Sequence, residues 1–135
     1  MDEKLRRYYQ ESKVNNASPG QMLIMLYDLL IKNAERAEAE IASPENPADP
    51  SRAAQAITGC IDIMKELTSS LRPSENPSLC GTLSNLYLYF MREFSAAFER
   101  RDPRKIRAIL PLIRELRNTW SEADRRAGLF QSVAA

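Results

Sequence analysis

The sequence predicts an all-α protein, an antiparallel up-down four-helix bundle behind an N-terminal capping segment. Three observations carry that expectation. Four prolines each follow a residue that caps helices well, in Ser18-Pro19, Asp49-Pro50, Asn76-Pro77 and Asp102-Pro103. Apolar residues then recur at spacings of three and four rather than two. The chain holds 4 glycines among 135 residues and no Val/Ile/Thr-rich run between turn signals, which argues against a sheet.

Proline in the first helical turn loses no hydrogen bond and arrives with φ preset, while the Ser, Asp or Asn before it accepts from an orphan N–H. The first helix is expected from Pro19 to Ala42, and Gln21, three residues after Ser18, completes a capping box. The second, Pro50 to Leu71, carries the stripe Ile57, Cys60, Ile61, Met64, Leu67 and Leu71. The third, Pro77 to Arg100, carries Leu79, Leu83, Leu86, Phe90, Phe94 and Ala97. The fourth, Pro103 to Arg126, carries Ile106, Ile109, Ile113, Leu116 and Trp120, and Pro111 inside it predicts a kink near Ile109. Links as short as these force antiparallel neighbours, and helices of about 33 Å, at roughly 1.5 Å per residue, suit an up-down bundle. The expected organisation is a cap segment at 1–17, the bundle at 18–126 and a flexible tail at 127–135.

Composition narrows function. Lys plus Arg is 19 and Asp plus Glu is 18, so a formal charge of +1 gives little field for steering onto nucleic acid or an anionic membrane. The chain has 0 histidines, which removes the commonest general base, the commonest metal ligand and every Ser-His or Cys-His pair. No enzyme, cofactor or metal is expected. Uncharged apolar stretches such as Met22 to Tyr27 are far short of the roughly 20 residues a spanning helix needs, so no membrane insertion is expected. Charges at Met1 to Arg7 do not suit a signal peptide, and the expected location is the cytoplasm.

The apolar supply exceeds what one core takes. In the first helix Leu23, Leu30, Ala34, Ala37 and Ile41 share a face, whereas Met22, Met25 and Leu29 gather more than about 90° away. The third helix adds Tyr87, Leu88, Tyr89, Met91 and Phe98 to its stripe. This surplus reads either as a groove for an amphipathic segment or as the seat of an N-terminal cap through Tyr8, Tyr9 and Val14, and the two can coexist. Cys60 and Cys80 read as packing residues, on the order of 13 Å apart along the helix axis and beyond disulfide reach. Glu35, Glu38 and Glu40 read as solvated surface, since bundle di-metal sites also use histidine. Arg100, Arg101, Arg104, Lys105 and Arg107 crowd the last interhelical turn, where the first two complement a helix C-terminus.

The segment Tyr9 to Asp28, with Val14, Ala17-Ser18-Pro19, Leu23 and Met25-Leu26-Tyr27-Asp28, resembles the N-terminal signature of the flagellar secretion chaperone family, FliS. Leu112, Leu116, Arg117 and Trp120 resemble the family's C-terminal helix. Asn16 stands where the family usually has threonine, and Leu29 where glycine commonly follows the acidic residue. The resemblance implies a non-enzymatic export chaperone that binds the disordered C-terminal segment of flagellin, prevents premature polymerisation and presents it to a component of the flagellar type III export gate. Flagellin contact is expected at Tyr9, Met22, Met25, Leu26 and Leu29. Val14, Ala17, Ser18, Pro19, Tyr27, Asp28, Leu116 and Trp120 are expected to be the structural signature. The alternative is a helical adaptor that binds another folded flagellar or regulatory protein, or self-associates as a weak homodimer.

Overall fold

The structure, a computed structural model, describes residues 18–72 and 74–134, with side chains to Ala127. The expected cap segment, with Tyr9, Val14 and Ala17, lies outside the described residues. Four helices follow one another: α1 (Pro19–Ala42), α2 (Ser51–Ser69), α3 (Pro77–Glu99) and α4 (Arg104–Ala134). α1 packs on α2 and α4, and α3 packs on the same two, so the helices are arranged in chain order around one core.

Each start is fixed locally. Ser18 Oγ accepts from the Gln21 amide at 3.1 Å while Gln21 Oε1 accepts from the Ser18 amide at 2.9 Å, which closes the capping box. Asn76 Oδ1 accepts from the Leu79 amide at 3.1 Å and starts α3. α2 and α4 begin one residue later than their prolines. There Asp49 and Asp102 each accept from the amide two residues on, Ser51 and Arg104, both at 3.0 Å. This short aspartate turn uses the carboxylate before the helix begins.

The ends differ more from expectation. α2 stops at Ser69 rather than Leu71, where Thr68, Ser69 and Ser70 donate their hydroxyls to the carbonyls of Met64, Glu66 and Leu67. α3 closes with the Asp102 amide on the Ala97 carbonyl and the Arg101 amide on the Phe98 carbonyl, which puts Arg101 at φ 51. That pattern normally places glycine at the left-handed position. α4 continues through Pro111, whose site is exposed, and reaches Ala134 instead of ending near Arg126.

The core joins Leu26, Tyr27, Leu30, Ala34 and Ala37 of α1 to Ala56, Ile57, Cys60, Ile63, Met64 and Leu67 of α2. α3 adds Leu83, Tyr87, Phe90, Phe94 and Ala97, and α4 adds Ile106, Ile109, Leu110 and Ile113. Ile63 is buried while Ile61 is half-buried against the core, and Cys80 is buried where the expected Leu79 is 43 % exposed in the first turn of α3. Both cysteines are free and buried, and burial raises the Cys60 thiol well above its ordinary value.

Candidate binding surface

The two signature segments of the sequence meet in space. Tyr27 and Tyr87 are completely or almost completely buried, and their hydroxyls lie 2.6 Å apart. Trp120 Nε1–H donates to the same Tyr27 oxygen at 3.2 Å. One residue along, Asp28 accepts from Arg117 through both carboxylate oxygens, at 2.8 and 3.4 Å. Tyr27 and Asp28 are thus the α1 partners of Trp120 and Arg117 on α4. Burial raises both phenols above their ordinary value, and both stay neutral donors and acceptors inside the core.

The rest of the α1–α4 seam is ionic at its surface. Arg114 pairs with Glu35 at 3.1 Å and Arg107 with Glu38 at 2.6 Å. Glu40 faces Arg52 of α2 at 3.8 Å. The three glutamates that invited a metal reading are therefore ion-pair partners between helices. Among the described residues no group of three or more His, Cys, Asp or Glu is placed to hold a metal ion. Of the basic turn, Arg104 is bound by Asp102, Lys105 by Glu93 and Arg107 by Glu38.

The expected contact residues of α1 separate. Leu26 is 4 % exposed and belongs to the core, so it presents no surface to a partner in this conformation. Met22, Met25 and Leu29 are half-buried. Met22 and Leu29 lie on the flank of α1 that also carries Asn33, beside Gly59, and Glu40, beside Arg52, so they turn toward α2.

The large apolar side chains that stand exposed among the described residues are elsewhere: Leu79, Leu88, Tyr89 and Leu112, at 42 to 44 %. The Lys105–Glu93 pair, at 3.8 Å, shows which flanks of α3 and α4 meet. Tyr89 is four residues before Glu93 and Leu86 seven, while Leu112 is seven after Lys105, so all three share those flanks. Antiparallel packing sets Leu112 opposite Leu86, with half-buried Leu116 beyond it. An apolar strip therefore runs along the α3–α4 seam. The sequence shows Tyr89 as part of an apolar surplus on α3 without placing it and does not mark Leu112 as exposed.

The described residues form a small helical bundle in which no buried side-chain polar atom lacks a partner and an apolar strip stays on the surface, the kind of surface on which proteins commonly bind one another. The chain matches the family described as "Flagellar protein FliS" over residues 1–127, and it belongs to that family. It is 23 % identical over 112 residues to the flagellar secretion chaperone FliS of Vibrio cholerae, covering 83 % of this chain and 79 % of that one. It is 27 % identical over 115 residues to the protein of the same name from Bacillus subtilis, covering 85 % and 82 %. No helix among the described residues is long and apolar enough to cross a membrane.

Proposed function

We propose that the protein is a cytoplasmic export chaperone that binds the disordered C-terminal segment of flagellin, keeps it from polymerising and delivers it to the flagellar type III export apparatus. Family membership across residues 1–127 carries this reading. The physics supports it: a disordered segment with apolar helical stripes folds as it docks on spare apolar surface, and the entropy lost in ordering keeps the complex reversible. Tyr9, Met22, Met25 and Leu29 are the proposed contacts of the N-terminal half, and Tyr89 and Leu112 offer accessible apolar area on the other side of the bundle. No chemistry is assigned to any side chain.

The test is a calorimetric titration with the last ~50 residues of the host's flagellin, reading affinity, heat-capacity change and helicity together. One-to-one saturation with a negative heat-capacity change and a gain of helix is expected. Absence of binding near about 100 μM, an affinity limit of about −5.5 kcal/mol, overturns the reading and favours an adaptor of folded partners.

A further inference from the structure

At the end of the bundle where α1 and α3 terminate, the α1–α2 connection folds over a cavity of about 210 Å³. Its apolar lining is Ile41 of α1, Ala53 of α2, Phe98 of α3 and the prolines Pro44, Pro47 and Pro50, beside polar and charged residues. Small-molecule sites usually measure roughly 300 to 1,000 Å³, so this one suits a single long side chain better than a whole ligand.

Two features decide the charge of the occupant. Helix C-termini carry about half a negative charge and are commonly complemented by Lys or Arg; the last turns of α1 and α3 hold no basic residue, and α3 meets its first cation only at the C-cap residue Arg100. Each has a glutamate there instead, Glu40 and Glu99, and both line the cavity. Asp49 also lines it, but one of its oxygens is committed to the Ser51 amide. The one cation in the lining is Arg101, the residue held at φ 51 where glycine would sit without strain. Three carboxylates of the lining and two helix ends stand against Arg101 in the lining and against Arg52 and Arg100 next to it, and Arg52 is shared with Glu45, so the excess is negative and favours an amphipathic cation.

We propose that this cavity receives one basic side chain of a protein partner. Its aliphatic stem lies on Phe98 and the prolines, and its cationic head lies among Glu40, Glu99 and the two helix ends. Glu40 already accommodates a guanidinium, that of Arg52 at 3.8 Å, and Arg101 is the resident cation with which the incoming one competes. The proposal draws nothing from the apolar strip, so it stands apart from the cargo reading.

Titration of the isotope-labelled full chain with N-acetyl-arginine amide, followed by amide chemical shifts, tests it against N-acetyl-leucine amide as neutral comparator. Saturable shifts confined to Ile41, Ala53 and residues 98–101 are expected, in the range of about 1 to 10 mM. Glu99→Gln and Glu40→Gln should each weaken the response about fivefold or more, and Arg101→Ala should tighten it several-fold. Glu99 is exposed, so its replacement does not endanger the fold. No saturation by about 50 mM, an equal response to the leucine amide, or indifference to all three substitutions overturns the proposal.

Discussion

Removing the Tyr27 hydroxyl tests whether the buried Tyr27–Tyr87–Trp120 contact holds the bundle together. Trp120 Nε1–H is a donor only, so the Tyr27 oxygen accepts it, and one phenolic hydrogen lies between Tyr27 and Tyr87. Tyr27→Phe removes both bonds. It strands the Tyr87 hydroxyl, in a residue 2 % exposed, at a cost of about 1 to 3 kcal/mol, and loses the Trp120 bond for a further ~0.5 to 1 kcal/mol. Tyr87→Phe removes one bond and leaves Tyr27 its tryptophan, so about 1 kcal/mol is expected. The double variant strands only the half-buried Trp120 N–H, so it should cost less than the sum by about 1 to 2 kcal/mol. Urea unfolding followed by circular dichroism and by the fluorescence of the one tryptophan measures all three. For a chain of this size Tyr27→Phe should lower Tm by about 6 to 15 °C. A cost under about 0.5 kcal/mol, or a cycle additive within ~0.3 kcal/mol, would refute the argument.

Alkali should unfold the protein by a related route. Cys60, Tyr27 and Tyr87 are held neutral in the fold, above ordinary values of 9.0 and 10.0. Above those values the unfolded chain gives up protons that the folded chain keeps, so stability is intact below about pH 9 and falls beyond it, by up to ~4 kcal/mol per pH unit. Urea midpoints between about pH 8 and 11 check this, and a flat profile contradicts it. Arg101→Gly relieves a left-handed arginine and should stabilise the fold by about 0.5 to 1 kcal/mol, read from the same urea curves; destabilisation would mean that its side chain contributes more than the backbone strain costs. Met25→Glu and Leu112→Glu should each weaken flagellin binding while moving Tm by no more than about 2 °C, and an effect from one alone assigns the cargo to that side of the bundle.

Helix starts were legible because a cap is a local device: Ser18 with Gln21, and Asn76 with Leu79, need nothing beyond three residues of sequence. The one-residue shift at Asp49 and Asp102 was not, since a carboxylate before proline serves equally as a cap or as the start of a tight turn. Tyr87 reads as surplus on α3, and only the meeting of α3 with α1 across the core shows that its hydroxyl has a partner inside. The exposed strip was the least legible feature. Excess apolar content on α3 is visible in sequence, but which flank is covered depends on the order of helices around the core and on the rotation of each, set here by pairs such as Lys105 with Glu93. That is why the second face of α1 drew attention while its Met22 and Leu29 are half-buried toward α2.

Of the residues most recognisable in the sequence, Met25 stays a proposed contact, whereas Tyr27, Asp28, Arg117 and Trp120 bond to one another. Tyr27 and Asp28 stand in the apolar run that marks the N-terminal signature, and Arg117 and Trp120 stand ninety residues away, yet each pair is joined by hydrogen bonds across α1 and α4. Among the described residues three ion pairs tie α4 to α1 and one ties it to α3, so α1 and α4 form the more firmly joined side. A substitution at Tyr27 or Trp120 that abolishes binding would act by loosening that side, and its unfolding midpoint would fall in step. A substitution at Tyr89 or Leu112, both more than 40 % exposed, has no such route. Binding lost there at an unchanged midpoint is the signature of a contact, and the comparison of the two sets separates the scaffold from the surface it presents.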